Sequence, residues 1–174
     1  AQVAAVANIP FTVGGGIADL KSAEKILNAG ADKVSISSAA YRKPELIPQL
    51  IKEFGGKAIT VAIDLDLNNT LPSGYEVFID GGKTATGTDA LEWAKKIDSY
   101  GVEVILPTSK AGDGSKSVYD LHLISMLAEN CQAKIVASGG AGTEKHFLEA
   151  AKAGAKILLA ASVFHFQIIN IAKL

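Results

Sequence analysis

The chain is poor in the groups that build cross-linked, metal-bound or polyanion-binding proteins. One of its 174 residues is Cys. Cys131 has no partner within the sequence, so no internal disulfide frames the fold and packing must hold it, as expected in a reducing compartment. The three histidines, His122, His146 and His165, show no ligand spacing with Cys131 or with carboxylates, so no metal site is expected. Aromatic residues make up 6%. Trp93 and Tyr100 fall in one helical stretch and read as core, not as a base-stacking platform. Neither sign of charge is in excess, with 17 Lys+Arg against 18 Asp+Glu and a formal net charge of -1. Without a basic block there is no footprint for nucleic acid or for an anionic membrane surface. No apolar run approaches the roughly 18 residues of a membrane span and no leader is visible, so a cytoplasmic location is expected.

What the chain does have is a hydrophobic fraction of 48% and a mean hydropathy of +0.25, in the range of one compact domain spanning residues 1–174. Nearly continuous apolar runs at 9–13, 33–36, 58–64, 102–106, 134–138 and 157–161 read as parallel strands covered on both faces. Helical patterns at 18–29, 45–54, 89–100, 119–129 and 144–153 lie between them, most ending at a glycine. The exception is 67–86, where Pro72-Ser73-Gly74 and Asp80-Gly81-Gly82 flank Tyr75-Glu76-Val77-Phe78-Ile79 and predict a small inserted hairpin.

An internal repeat sharpens the architecture. A shift of 124 residues lays Gly15-Gly16 on Gly139-Gly140, Ala29-Gly30-Ala31 on Ala153-Gly154-Ala155, and Ser38 on Ser162. Repeated βα units with matching halves predict a (βα)8 barrel of which about six units are present, with an open doubly wound sheet as the alternative. Gly14-Gly15-Gly16 and Ser138-Gly139-Gly140-Ala141-Gly142 follow strands and precede helices, where backbone N–H groups can cradle a phosphate. Neither is a Walker A loop or a dinucleotide fingerprint, and a tight turn without a ligand accounts for either one alone. Two at repeat-related positions, each with a strand-end serine, predict a substrate with a phosphate at each end. Asp64 closes the run Thr60-Val61-Ala62-Ile63 and is the candidate acid/base, with Asp66 as the competing carboxylate. Thr108 and Ser109 end another strand, and Asp113-Gly114-Ser115 offers a polar glycine turn behind them.

These residues resemble a known family, the cyclase subunits of imidazole glycerol phosphate synthase in histidine biosynthesis. The likeness rests on Ile9-Pro10-Phe11-Thr12-Val13-Gly14-Gly15-Gly16-Ile17, Gly30-Ala31-Asp32-Lys33-Val34-Ser35-Ile36, Val61-Ala62-Ile63-Asp64, Ala137-Ser138-Gly139-Gly140-Ala141-Gly142 and Ala160-Ala161-Ser162-Val163-Phe164-His165-Phe166, in order and at the family's spacing. The resemblance implies a two-halved (βα)8 barrel without a cofactor. It implies a reaction in which ammonia from a glutaminase subunit is added to a bisphosphorylated ribulosyl substrate. The products would be imidazole glycerol phosphate and aminoimidazole carboxamide ribotide. Carried over by motif, Asp64 is the second catalytic aspartate. Gly16, Ser37 and Ser38 would form one phosphate site; Asp113, Gly114, Gly139, Gly140, Ala161 and Ser162 would form the other. Thr108 would touch substrate, while Asp32 and Lys33 would face the glutaminase and the ammonia entrance.

The chain also departs from the family pattern. Ser37 stands where Asn is usual, Ala111 replaces an Asp, and Val118 replaces a Gly. Glu103-Val104 replaces Gly-Glu, so the acidic member of the entrance ring is expected to be absent or displaced by one residue. The first two βα units and the other catalytic Asp are expected to lie outside these residues. A cyclase-like paralogue delivering ammonia to another acceptor, and a catalytically incomplete partial barrel, remain alternatives. Open barrel edges would favour self-association.

Overall fold

A computed structural model describes residues 6–110 and 118–174. Six strands, β1 (Thr12–Gly14), β2 (Lys33–Ile36), β3 (Ile59–Leu67), β6 (Val104–Ser109), β7 (Lys134–Ala137) and β8 (Ile157–Leu158), lie side by side in that order, every neighbouring pair parallel. The order never reverses. A doubly wound sheet has a switch point where the winding changes direction, so this sheet has the winding of a (βα)8 barrel with six parallel strands present. Its curvature is visible on the inner face. Residues from both outer strands and their flanks, Phe11 and Thr12 on one side and Ile157 and Leu159 on the other, line one cavity of about 220 Å3 with Thr60, Val104 and Val136.

The connecting helices are α1 (Leu20–Asn28), α3 (Leu46–Phe54), α4 (Ala90–Ser99), α5 (Leu121–Asn130) and α6 (Glu144–Lys152). Each lays an apolar stripe on the sheet: Ile47 and Leu50 of α3, Trp93 and Ile97 of α4, and Leu123 and Leu127 of α5 join Val34, Ile59, Val61 and Ile105 in one core. A second core gathers Tyr119, Ile124, Phe147 and Val163 around β7 and α6. Two short helices, α2 (Ser38–Arg42) and α7 (Ser162–His165), follow β2 and β8 directly.

The hairpin expected at 67–86 is present but extends further. β4 (Tyr75–Ile79) pairs antiparallel with β5 (Thr84–Asp89) and also with the second half of β3. Asp64 therefore does not end its strand. It sits where β3 leaves the parallel sheet and continues to Leu67 as the first strand of an antiparallel ribbon, facing Phe78 on one side and Thr108 on the other. Glu76 and Asp89 are buried within this ribbon and fully satisfied. Glu76 accepts from Asn68 Nδ2 at 2.8 Å and from the Gly87 N–H at 2.6 Å. Asp89 accepts from the Ser73 N–H at 2.7 Å and caps α4 through the Leu91 and Glu92 N–H groups.

The 124-residue repeat extends to the hydrogen bonds. Gly30 and Gly154 both take positive φ, 103° and 107°. The Ala31 N–H bonds the Ile26 carbonyl at 3.4 Å, and the Ala155 N–H bonds the Ala150 carbonyl at 3.1 Å. Upstream, the Ala18 N–H bonds Ser22 Oγ at 3.3 Å and the Gly142 N–H bonds His146 Nδ1 at 3.1 Å, at equivalent positions with different side chains.

Candidate functional site

The strand register sorts the candidate residues between the two ends of the sheet. Gly14 pairs with Ser35, so Gly15, Gly16, Ser37 and Ser38 lie together just beyond the carboxyl ends of β1 and β2. Ala137 pairs with Leu158, so Gly139, Gly140, Ala161 and Ser162 lie together beyond β7 and β8. Asp64 and Thr108 are opposite one another at that same end, and Thr108 bridges on to Ser138. Asp32 and Lys33 are at the other end, at the start of β2. The carboxyl end is where barrel enzymes place their chemistry.

A cavity of about 600 Å3 opens there. Gly15, Gly16, Ser37 and Ser38 form one wall, and Ala62 and Asp64, two residues apart on one face of β3, form the floor. Gly15 and Gly16 have φ of 96° and 71°, a left-handed pair that side-chain-bearing residues adopt rarely, and a Cβ on either would meet nothing within 4 Å. The space beside them is free for a ligand to approach the backbone. In the second half, Gly139 and Gly140 repeat this conformation with φ of 80° and 96°. Ser162 again opens a short helix, and its N-cap is Ala161. Asp113 and Gly114 lie outside the described residues.

Three residues of the first site were not evident as participants from the sequence. Arg42 and Lys43 line the same cavity, as does Gly81 from the hairpin turn. The turn reaches back over α2: the Asp80 N–H donates to Ser38 Oγ at 2.8 Å, and Arg42 Nη2 donates to both carboxylate oxygens of Asp80 at 2.7 Å. Thr84 Oγ1 adds a third hydrogen bond to that carboxylate at 3.0 Å. The Arg42 hydrogen bond, followed by that of Thr84, holds the Asp80 carboxyl below its ordinary pKa. The missing signal was α2, whose helical turn puts Arg42 four residues after Ser38, on the same face.

At the opposite end, Asp32 Oδ2 accepts from the Phe11 N–H at 2.9 Å and fastens the approach to β1 onto β2. Glu103, just before β6, receives Lys134 Nζ at 2.9 Å on one oxygen and Lys33 Nζ on the other; Lys33 also reaches the Lys57 carbonyl. These two ammonium groups, Lys134 first, push the Glu103 carboxyl down to about 2. Glu103 thus pairs with both Lys33 and Lys134 at this end of the sheet. Among the described residues, no group of three or more His, Cys, Asp and Glu is arranged to hold a metal. No helix among them is long and apolar enough to cross a membrane.

Known proteins are similar to this chain in sequence. The chain is 46% identical to the imidazole glycerol phosphate synthase subunit HisF of Pyrobaculum aerophilum, over 172 residues that make up 99% of this chain and 67% of that protein. It is 45% identical to the subunit HisF of Thermobifida fusca, over 94% of this chain and 65% of that one. For the subunit HisF of Hydrogenobaculum sp. the identity is 47%, over 95% and 65%. The chain thus spans about two thirds of the length of the curated relatives it matches. The family described as histidine biosynthesis protein matches residues 1–170. With six parallel strands in barrel order and a repeated pair of glycine turns at their carboxyl ends, the chain belongs to the histidine biosynthesis protein family.

Proposed function

We propose that this chain forms most of the cyclase barrel of an imidazole glycerol phosphate synthase. One observation carries the reading. Two repeat-related glycine turns, each beside a serine that opens a short helix, lie at the same end of the sheet as Asp64. Backbone N–H groups freed of side chains suit the phosphate oxygens of a ligand bearing a phosphate at each end. In this reading Gly16, Ser37 and Ser38 hold one phosphate; Gly139, Gly140, Ala161 and Ser162, with Asp113 and Gly114, hold the other. Asp64 and Thr108 face the segment between them.

A ribulosyl group offers a ketone that ammonia can attack. Addition of ammonia, ring closure and release of aminoimidazole carboxamide ribotide each require a proton to be taken at one atom and given at another. Asp64 supplies one such group on the cavity floor, and the reading assigns its partner carboxylate to a position outside these residues. The Asp32, Lys33, Glu103 and Lys134 end would receive a glutaminase subunit and admit ammonia.

The test is a chimera in which the two leading βα units of a HisF relative precede this chain. With ammonium salt as nitrogen source it should convert the bisphosphorylated substrate to imidazole glycerol phosphate, and Asp64→Asn should lower kcat by about 100-fold or more. Turnover that survives Asp64→Asn rules out this assignment of the acid/base.

A further inference from the structure

The hairpin turn places a carboxylate where an anionic ligand would find its cation. Asp80 has φ of 59°, a left-handed conformation that side-chain-bearing residues adopt rarely. Three contacts hold it there: Ser38 Oγ on its N–H, and Arg42 and Thr84 on its carboxylate. Ser38 belongs to the wall of the 600 Å3 cavity and Arg42 to its rim, so both of these groups face the space beside Gly15 and Gly16. Because the Ser38 hydroxyl accepts from Asp80, its own proton remains the group able to donate to an incoming anion. Arg42 is different. Its Nη2 is shared between both oxygens of a carboxylate of the same chain, through a pair whose side chains are 51% and 40% exposed. An ion pair that open to water adds little to stability and exchanges readily for a better partner. A phosphate, with more charge and a geometry that matches the guanidinium fork, is such a partner.

We propose that Arg42 is a binding residue of this anionic subsite, held in reserve by Asp80, whose carboxylate acts as an internal stand-in that a phosphorylated ligand displaces. The proposal rests on the reading of Gly16, Ser37 and Ser38 as a phosphate cradle and adds to it a mobile cation and a built-in competitor. The site discriminates between ligands accordingly: a dianionic phosphate can outbid the Asp80 carboxylate, whereas a sulfate ester or carboxylate of single charge gains less from the exchange.

The experiment is calorimetric titration of the chain with inorganic phosphate, on the parent sequence and on Ser37→Ala, Arg42→Gln, Asp80→Asn and the double variant R42Q/D80N. Asn is the substitution of choice at position 80 because it tolerates positive φ, and Arg42 is exposed enough for the fold to survive its loss; circular dichroism checks both. Release of the competitor should tighten phosphate binding about two- to fivefold in Asp80→Asn, the range set by an exposed ion pair. Arg42→Gln should weaken it about fivefold or more. The double variant should bind like Arg42→Gln alone, since the effect of Asp80 acts through Arg42. An equal gain from Asp80→Asn with and without Arg42 would mean that only net charge had changed, and would overturn the proposal. Loss of binding in Ser37→Ala with no change in Arg42→Gln would keep the cradle and overturn the role of Arg42. Absence of phosphate binding in every variant, Asp80→Asn included, would overturn the cradle and the proposal together.

Discussion

At the scale of single residues, chemistry and packing separate cleanly. Cys131 is 8% exposed, and burial pushes its thiol up to about 11. At neutral pH it is a small apolar side chain, not a nucleophile, and a thiol reagent such as a maleimide should modify it only after unfolding. Gly154 is a stricter case. With φ of 107° and an added Cβ only 2.7 Å from the Cβ of Ala128, Gly154→Ala combines backbone strain with a clash against α5. It should cost about 2 to 4 kcal/mol in a urea titration. Asp64, Ser38 and both glycine pairs were legible in the sequence because each is announced by its immediate neighbours, a run of apolar residues or a missing side chain. Arg42 and Asp80 were not, since they are 38 residues apart and meet only because the hairpin folds back over α2. No local pattern encodes that return.

Secondary-structure elements show the same division. β2 and β7 stand where the apolar runs put them and β6 is shifted forward, to 104–109 from an expected 102–106, while both outer strands are shorter than their runs. β1 starts at Thr12, not at residue 9, because Pro10 has no N–H to give and Ile9 is 72% exposed. β8 stops at Leu158, not at 161, having β7 on one side alone. β3 is longer than expected: after Asp64 the alternation Leu65, Asp66, Leu67 is the period of a half-buried antiparallel strand, and β4 takes it up. The polar segment Thr84–Asp89 forms β5, three residues past the expected end of the hairpin, because its exposed outer face asks for no apolar residues. α2 and α7 were missed for their length, five and four residues. Glu103 joins three strands through Lys33 on β2 and Lys134 on β7. Its carboxyl lies near 2 in the folded chain against an ordinary 4.5, so the folded state holds the charge where the unfolded state takes up a proton. The contribution is complete above about pH 4.5 and is lost as pH falls toward 2. The difference in urea midpoint between the parent chain and Glu103→Gln should therefore be constant near neutrality and shrink through that acid window.

For the whole molecule, the strand order means that β1 and β8 each have a neighbour on one side only among the described residues. Apolar residues gather near the β8 side, with Leu159 at 40%, Phe166 at 65% and Ile171 at 68% exposure. Unpaired parallel edges beside apolar surface favour association, and light scattering of the isolated chain should report a mass above that of a monomer. A monodisperse monomer would show that these surfaces are inert. The register adds a last consequence. The β3–β6 pairing runs without a break from Thr60 opposite Val104 to Leu65 opposite Ser109, whereas β1–β2 and β7–β8 hold on through three and two positions. Cooperative opening spreads inward from the weakest pairing. Amide protons of β3 and β6 should thus be the last to exchange with deuterium and those of β1 and β8 the first, so that the clock of exchange reads the sheet from its margins to its middle.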